Sequence, residues 1–177
     1  MSKFIITGGP GSGKTSLIRQ LESEGYHCSP EASRQLIIEQ IALQSDSLPW
    51  LNLPDFADLA LERMLALYRE AQHASITFFD RGVPDIIAYL ESADLSVPEK
   101  YFEATEECNY DQMVFILPPW KEIYVNDSER WQSFEESVLI YEAIKKAYIK
   151  LNFNLIEVPK MPVEDRTAFI LARINPR

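Results

Sequence analysis

Cysteine and histidine are scarce: Cys28, Cys108, His27 and His73 are the only ones in 177 residues. Their spacing matches no metal-ligand pattern, which argues against a structural zinc site. Met1-Ser2-Lys3 leads through a short apolar stretch into a Gly-rich loop, unlike a secretory leader. Reduced thiols and a cytoplasmic location are therefore expected. No apolar run reaches 18 residues, so no membrane-spanning helix is expected. Basic residues are also few, 17 against 27 acids, for a net charge of −10. That balance argues against a general nucleic-acid binder, which needs a basic face to displace counterions. The deficit is local. Between Glu91 and Glu142 stand 13 acids and 3 bases, whereas the remainder holds 14 of each.

What is present is an alternation of short β-rich runs with helical patterns. Strands are expected at 4–7, 26–29, 76–79, 113–117 and 155–158. Helices are expected at about 14–23, 33–44, 54–73, 84–92, 98–107 and 133–151, with a last one opening near Pro162. Strands separated by helices of this length require right-handed crossovers and a parallel sheet. The expected fold is a single three-layer α/β domain with helices on both faces.

Gly8-Gly9-Pro10-Gly11-Ser12-Gly13-Lys14-Thr15 satisfies G-x-x-x-x-G-K-[ST] between a predicted strand and a predicted helix. Glycines let successive N–H groups curl around a phosphate, and the following helix adds its positive end. Gly9, Pro10, Gly11, Ser12, Gly13, Lys14, Thr15 and Ser16 are thus the expected nucleotide-binding residues. Lys14 would reach the terminal phosphates and Thr15 would hold Mg2+. A dinucleotide reading fits less well, because no acid follows at the required distance on a second strand. The apolar run 76–79 ends in Asp80, a carboxylate at a strand tip where the magnesium side of such sites lies. Arg81 follows it and suits an anionic reaction centre.

Gly8–Thr15, Pro30-Glu31-Ala32-Ser33-Arg34, Asp80-Arg81-Gly82 and Arg130-Trp131-Gln132-Ser133-Phe134-Glu135 recur in this order in one group of proteins. The sequence resembles the AAA-type ATP-binding domain related to the ribosylnicotinamide kinase part of the bifunctional nicotinamide-nucleotide regulator. It is similar, more distantly, to deoxynucleoside and thymidylate kinases. The resemblance implies the P-loop kinase sheet order 2-3-1-4-5, with a lid at about 119–136. It implies Glu31 as the base that accepts the acceptor's hydroxyl proton, and Asp80 with Thr15 on the magnesium. Arg81 would lie near the phosphates, Arg130 on the lid, and residues 159–163 beside the adenine. Arg34 is expected to fix Glu31 or touch substrate. Arg63, with Trp50, Phe56, Tyr68, Asp85 and Tyr89, is expected on the lips of the crevice, as a substrate contact. The expected ligands are ATP, Mg2+ and a small nucleoside-like acceptor, with neither nucleic acid nor membrane. The alternative reading is an ATPase or nucleotide-regulated binding module without a phosphoryl acceptor.

Overall fold

A computed structural model describes residues 1–71, 74–124 and 132–174. Five strands, β1 (Ser2–Gly8), β2 (His27–Ser29), β3 (Ile76–Asp80), β4 (Met113–Leu117) and β5 (Asn154–Glu157), alternate with helices. The helices are α1 (Lys14–Ser23), α2 (Ala32–Ala42), α3 (Leu53–Glu70), α4 (Val83–Ser92), α5 (Glu99–Glu107), α6 (Phe134–Lys150) and α7 (Val163–Ile174). The sheet is parallel throughout in the order β2-β3-β1-β4-β5. This is the expected kinase-like order.

Both faces of the sheet are covered, so its central strands carry consecutive apolar residues, Phe4–Ile6, Phe78–Phe79 and Met113–Leu117, rather than alternating ones. Neighbouring side chains still point to opposite faces. Ile5, Phe79, Val114 and Ile116 pack with α2 to α6, while Phe4, Ile6, Phe78, Phe115 and Leu117 pack with α1 and α7. Register sets the site: Ile6 pairs Asp80 and Gly8 pairs Leu117, so β1, β3 and β4 end together. Ligands of open α/β sheets bind beyond that carboxyl edge.

Capping decides several helix boundaries. Ser133 and Glu136 form a reciprocal capping box, so α6 starts at Phe134 with Ser133 just outside it. Asn52 caps α3 by accepting from the Asp55 N–H at 3.3 Å. The second helix stops at Ala42, earlier than its periodicity predicts, because Gln44 turns left-handed at φ 52°. Among the described residues no helix is long and apolar enough to cross a membrane.

Candidate functional site

The loop joining β1 to α1 closes over the carboxyl edge of the sheet. Gly13 caps α1 at φ 86°, and a Cβ there would stand 2.8 Å from Arg166 Nη1. Gly8 lies so near β4 that a Cβ would meet the Leu117 carbonyl oxygen at 2.5 Å. Only glycine tolerates both the dihedrals and the approach. Lys14 Nζ folds over the loop and donates to the Gly8 and Gly9 carbonyls, each at 3.0 Å. Burial, then the Arg81 charge, lowers the Lys14 pKa from 10.5 to about 8.

Beyond β3 the chain makes a tight reversal. Arg81 takes φ 74°, uncommon for a residue with a Cβ, and its N–H donates to Ile6 O at 3.0 Å. The bond ties the turn to β1. Its buried guanidinium lies 3.0 Å from Asp85 Oδ1 and, through Nε, 3.9 Å from Glu31 Oε1. Asp85 is 2% exposed. It accepts from Thr7 Oγ1 at 2.5 Å, Arg81 Nη1 at 3.0 Å, the Gly82 N–H at 3.0 Å and the Tyr148 hydroxyl at 2.6 Å. A buried carboxylate with four donors is fully satisfied. It joins β1, the β3 turn and α6.

Glu31 stands at the start of α2 with extended dihedrals, and its carboxylate does not cap that helix. It faces Arg81, and Arg34 Nε lies 3.8 Å from its Oε2. Asp80 is 6% exposed, and its Oδ1 has no hydrogen-bond partner. Burial, then the Glu31 charge, raises its pKa to about 6. A buried carboxylate oxygen without a hydrogen-bond partner, at the tip of β3, fits a hard divalent cation. Magnesium takes one or two protein oxygens and completes its shell with phosphate and water. Among the described residues no cluster of three His, Cys, Asp or Glu exists that would hold a metal without phosphate.

A cavity of about 340 Å³ is lined by the loop at 10–16, by Glu31, Arg34 and Arg81, and by apolar side chains. Of these, Leu53, Phe56, Ala60 and Met64 come from α3 and Ile86 from α4. The structure thus brings the loop, Glu31, Arg34, Arg81 and Asp85 to one cavity, with Asp80 coupled to them by charge. Arg63 is not brought there. Its guanidinium makes a bidentate pair with Glu39, at 2.7 and 3.2 Å, and joins α3 to α2 outside the cavity lining. In this arrangement it serves as a helix-to-helix tie. Phe56 and Tyr89 do line the cavity, whereas Trp50 is exposed. Arg130 and the middle of the expected lid, residues 125–131, lie outside the described residues. The sequence reading missed Arg166, whose side chain reaches the loop from α7, and the extent of the Asp85 contacts.

Comparison with known proteins agrees with this geometry. The family model for an AAA domain matches residues 3–166. A nucleotide-binding protein of Geotalea daltonii is 31% identical over 112 residues, covering 60% of this chain and 33% of that protein. One from Idiomarina loihiensis is 27% identical over 110 residues, 58% of this chain and 35% of that protein. The match thus spans about a third of the length of these relatives. Among solved structures, NadR in complex with NR superposes with a TM-score of 0.68 at 17% identity, covering 97% of this chain and 51% of that one. Deoxyadenosine kinase from M. mycoides gives 0.64 at 13% identity, covering 99% and 100%. Thymidylate kinase from Candida albicans gives 0.63 at 13%, covering 98% and 90%. These identities speak for the fold. The chain belongs to the AAA domain family, as a P-loop nucleotide-binding domain with a kinase-like fold.

Proposed function

We propose that the protein is a small-molecule kinase that moves the γ-phosphoryl group of ATP to a hydroxyl of a nucleoside-like acceptor. The observation that carries this reading is the apolar part of the cavity wall. Beside the loop, Glu31 and Arg81, the same cavity is lined by Leu53, Phe56, Ala60, Met64 and Ile86, apolar side chains that the phosphates of a nucleotide have no use for. An ATPase that delivers only water needs no such wall.

In this reading the loop at 8–15 holds the triphosphate through its N–H groups and Lys14. Thr15 and Asp80 would hold Mg2+, which would supply positive charge against the polyphosphate. The acceptor hydroxyl lies against Glu31, which accepts its proton as the oxygen attacks γ-phosphorus. The bond to the β-phosphate oxygen breaks, ADP leaves, and the phosphorylated acceptor carries the new P–O bond. Arg81 faces the transferring group, held in place by Asp85, and stabilises its equatorial charge. Arg34 sets the Glu31 carboxylate, and Arg130 would add a charge from the lid. The likeness to kinases of nucleosides and nucleotides supports the acceptor class.

The test is ATP labelled at the γ-phosphate, incubated with the protein and a panel of nucleosides. Label in an organic phosphate supports the reading. Label found only as inorganic phosphate, whatever nucleoside is added, favours an ATPase and removes the kinase.

A further inference from the structure

Arg166 is placed where a cation is unfavourable on three counts. It stands at the end of the first turn of α7, where the helix dipole is positive and the preceding Glu164 and Asp165 are the residues that suit it. Its side chain is 6% exposed, so the guanidinium has lost most of its water. Its Nε is buried without a hydrogen-bond partner, and the guanidinium forms no ion pair or hydrogen bond among the described residues. A buried charge left this way is costly, and the desolvation lowers its pKa.

The surroundings show what such a charge is kept for. Arg166 lines the same cavity as the loop, and its Nη1 would stand 2.8 Å from a Cβ on Gly13, the cap of α1. The Trp120 ring lies 5.6 Å from the guanidinium carbon, a cation–π distance. Ile123 also closes on Gly13. The cation is therefore fixed at the wall of the loop, on a different element from Lys14 in α1 and Arg81 after β3. An aromatic base offers no charge to balance it, whereas a polyphosphate does. Guanidinium matches phosphate geometry with two parallel donors.

We propose that Arg166 is a phosphate-binding residue, which contacts the phosphate chain of the nucleotide from the α7 side of the loop. The proposal rests on the loop binding a nucleoside triphosphate but not on any phosphoryl acceptor. Phosphate binding gives the buried Nε side of the guanidinium its missing counter-charge.

The test is calorimetric titration of the full chain with ATP, inorganic tripolyphosphate and adenosine, in wild type, Arg166→Met and Arg166→Lys. Arg166→Met keeps the apolar stem and removes an unpaired buried charge, so its ligand-free melting temperature is expected to equal or exceed that of the wild type. Its affinity for ATP and for tripolyphosphate is expected to fall together, by about ten- to a hundredfold. Arg166→Lys recovers part of the loss, and adenosine binding stays unchanged. Tripolyphosphate affinity within twofold of wild type, with ATP affinity reduced, would instead make Arg166 a contact for the base and overturn the proposal. Unchanged affinity for both, with a lower melting temperature, makes it a packing residue and also overturns it. A wild-type protein that bound no triphosphate would remove the assignment of the loop as well.

Discussion

Arg81 Nη1 lies 3.0 Å from Asp85 Oδ1, and that same oxygen accepts from Thr7 Oγ1, the residue just before the phosphate loop. One carboxylate thus aims the arginine and ties down the strand that feeds the loop. Asp85→Asn keeps the size and removes the charge, which leaves the buried Arg81 guanidinium with only its longer pair to Glu31, at 3.9 Å. Breaking a buried pair from one side costs about 3–5 kcal/mol. In a domain of this size each kcal/mol shifts the melting temperature by about 2–4 °C. Thermal unfolding of the variant is therefore expected well below wild type. A melting temperature within two degrees would mean that the pair is not a structural keystone.

Lys14 sets a pH dependence for nucleotide binding. Its ammonium is penalised by burial and by Arg81, so the free protein loses this proton near pH 8. A polyphosphate stabilises the charged form, so binding above that pH takes up a proton. Affinity is expected to hold below pH 8 and to fall as pH rises beyond it, with proton uptake visible as a buffer-dependent heat in calorimetry. Lys14→Ala is expected to abolish binding altogether. Retained binding by that variant would contradict the site.

Asp80 is expected to trade stability for ligand. Its pKa is raised from 3.8 to about 6 by burial and by Glu31, so the folded state holds the proton longer than the unfolded chain. The sign follows: relative stability is fully present below pH 3.8 and is lost as pH rises through 6. Asp80→Asn removes that penalty and is expected to raise ligand-free stability at pH 7.5 by about 1–3 kcal/mol. The gain shrinks at pH 4. In return the variant loses the magnesium-dependent part of its nucleotide affinity. Chemical denaturation at both pH values and titration with and without magnesium check the two halves.

Most of the sheet and the phosphate loop were readable because their signals are local. Four consecutive apolar or β-branched residues make a buried strand, and eight consecutive residues make the loop. Asp80 and Arg81 were readable for the same reason, sitting at the end of such a run. The Asp85 contacts were not, since Thr7 and Tyr148 stand 78 and 63 residues away. Arg166 escaped because its placement beside Gly13 depends on how α7 packs on α1. For Arg63 the sequence gives a position on a lip helix, which means proximity but not direction. Glu39, on another helix, decides where it points.

Arg63 supplies a control. Because it pairs with Glu39 on the outside, Arg63→Ala is expected to leave the acceptor KM within about twofold of wild type, as exposed pairs carry little energy. A tenfold rise in KM with unchanged ATP affinity would return it to the acceptor pocket.

The most direct measurement is single-turnover transfer of labelled γ-phosphate by wild type and Glu31→Gln, with ATP affinity determined for each. If Glu31 is the base, the variant binds ATP as the wild type does, and transfer to the acceptor slows by about 10²- to 10⁴-fold. Transfer at the wild-type rate by Glu31→Gln would contradict the account.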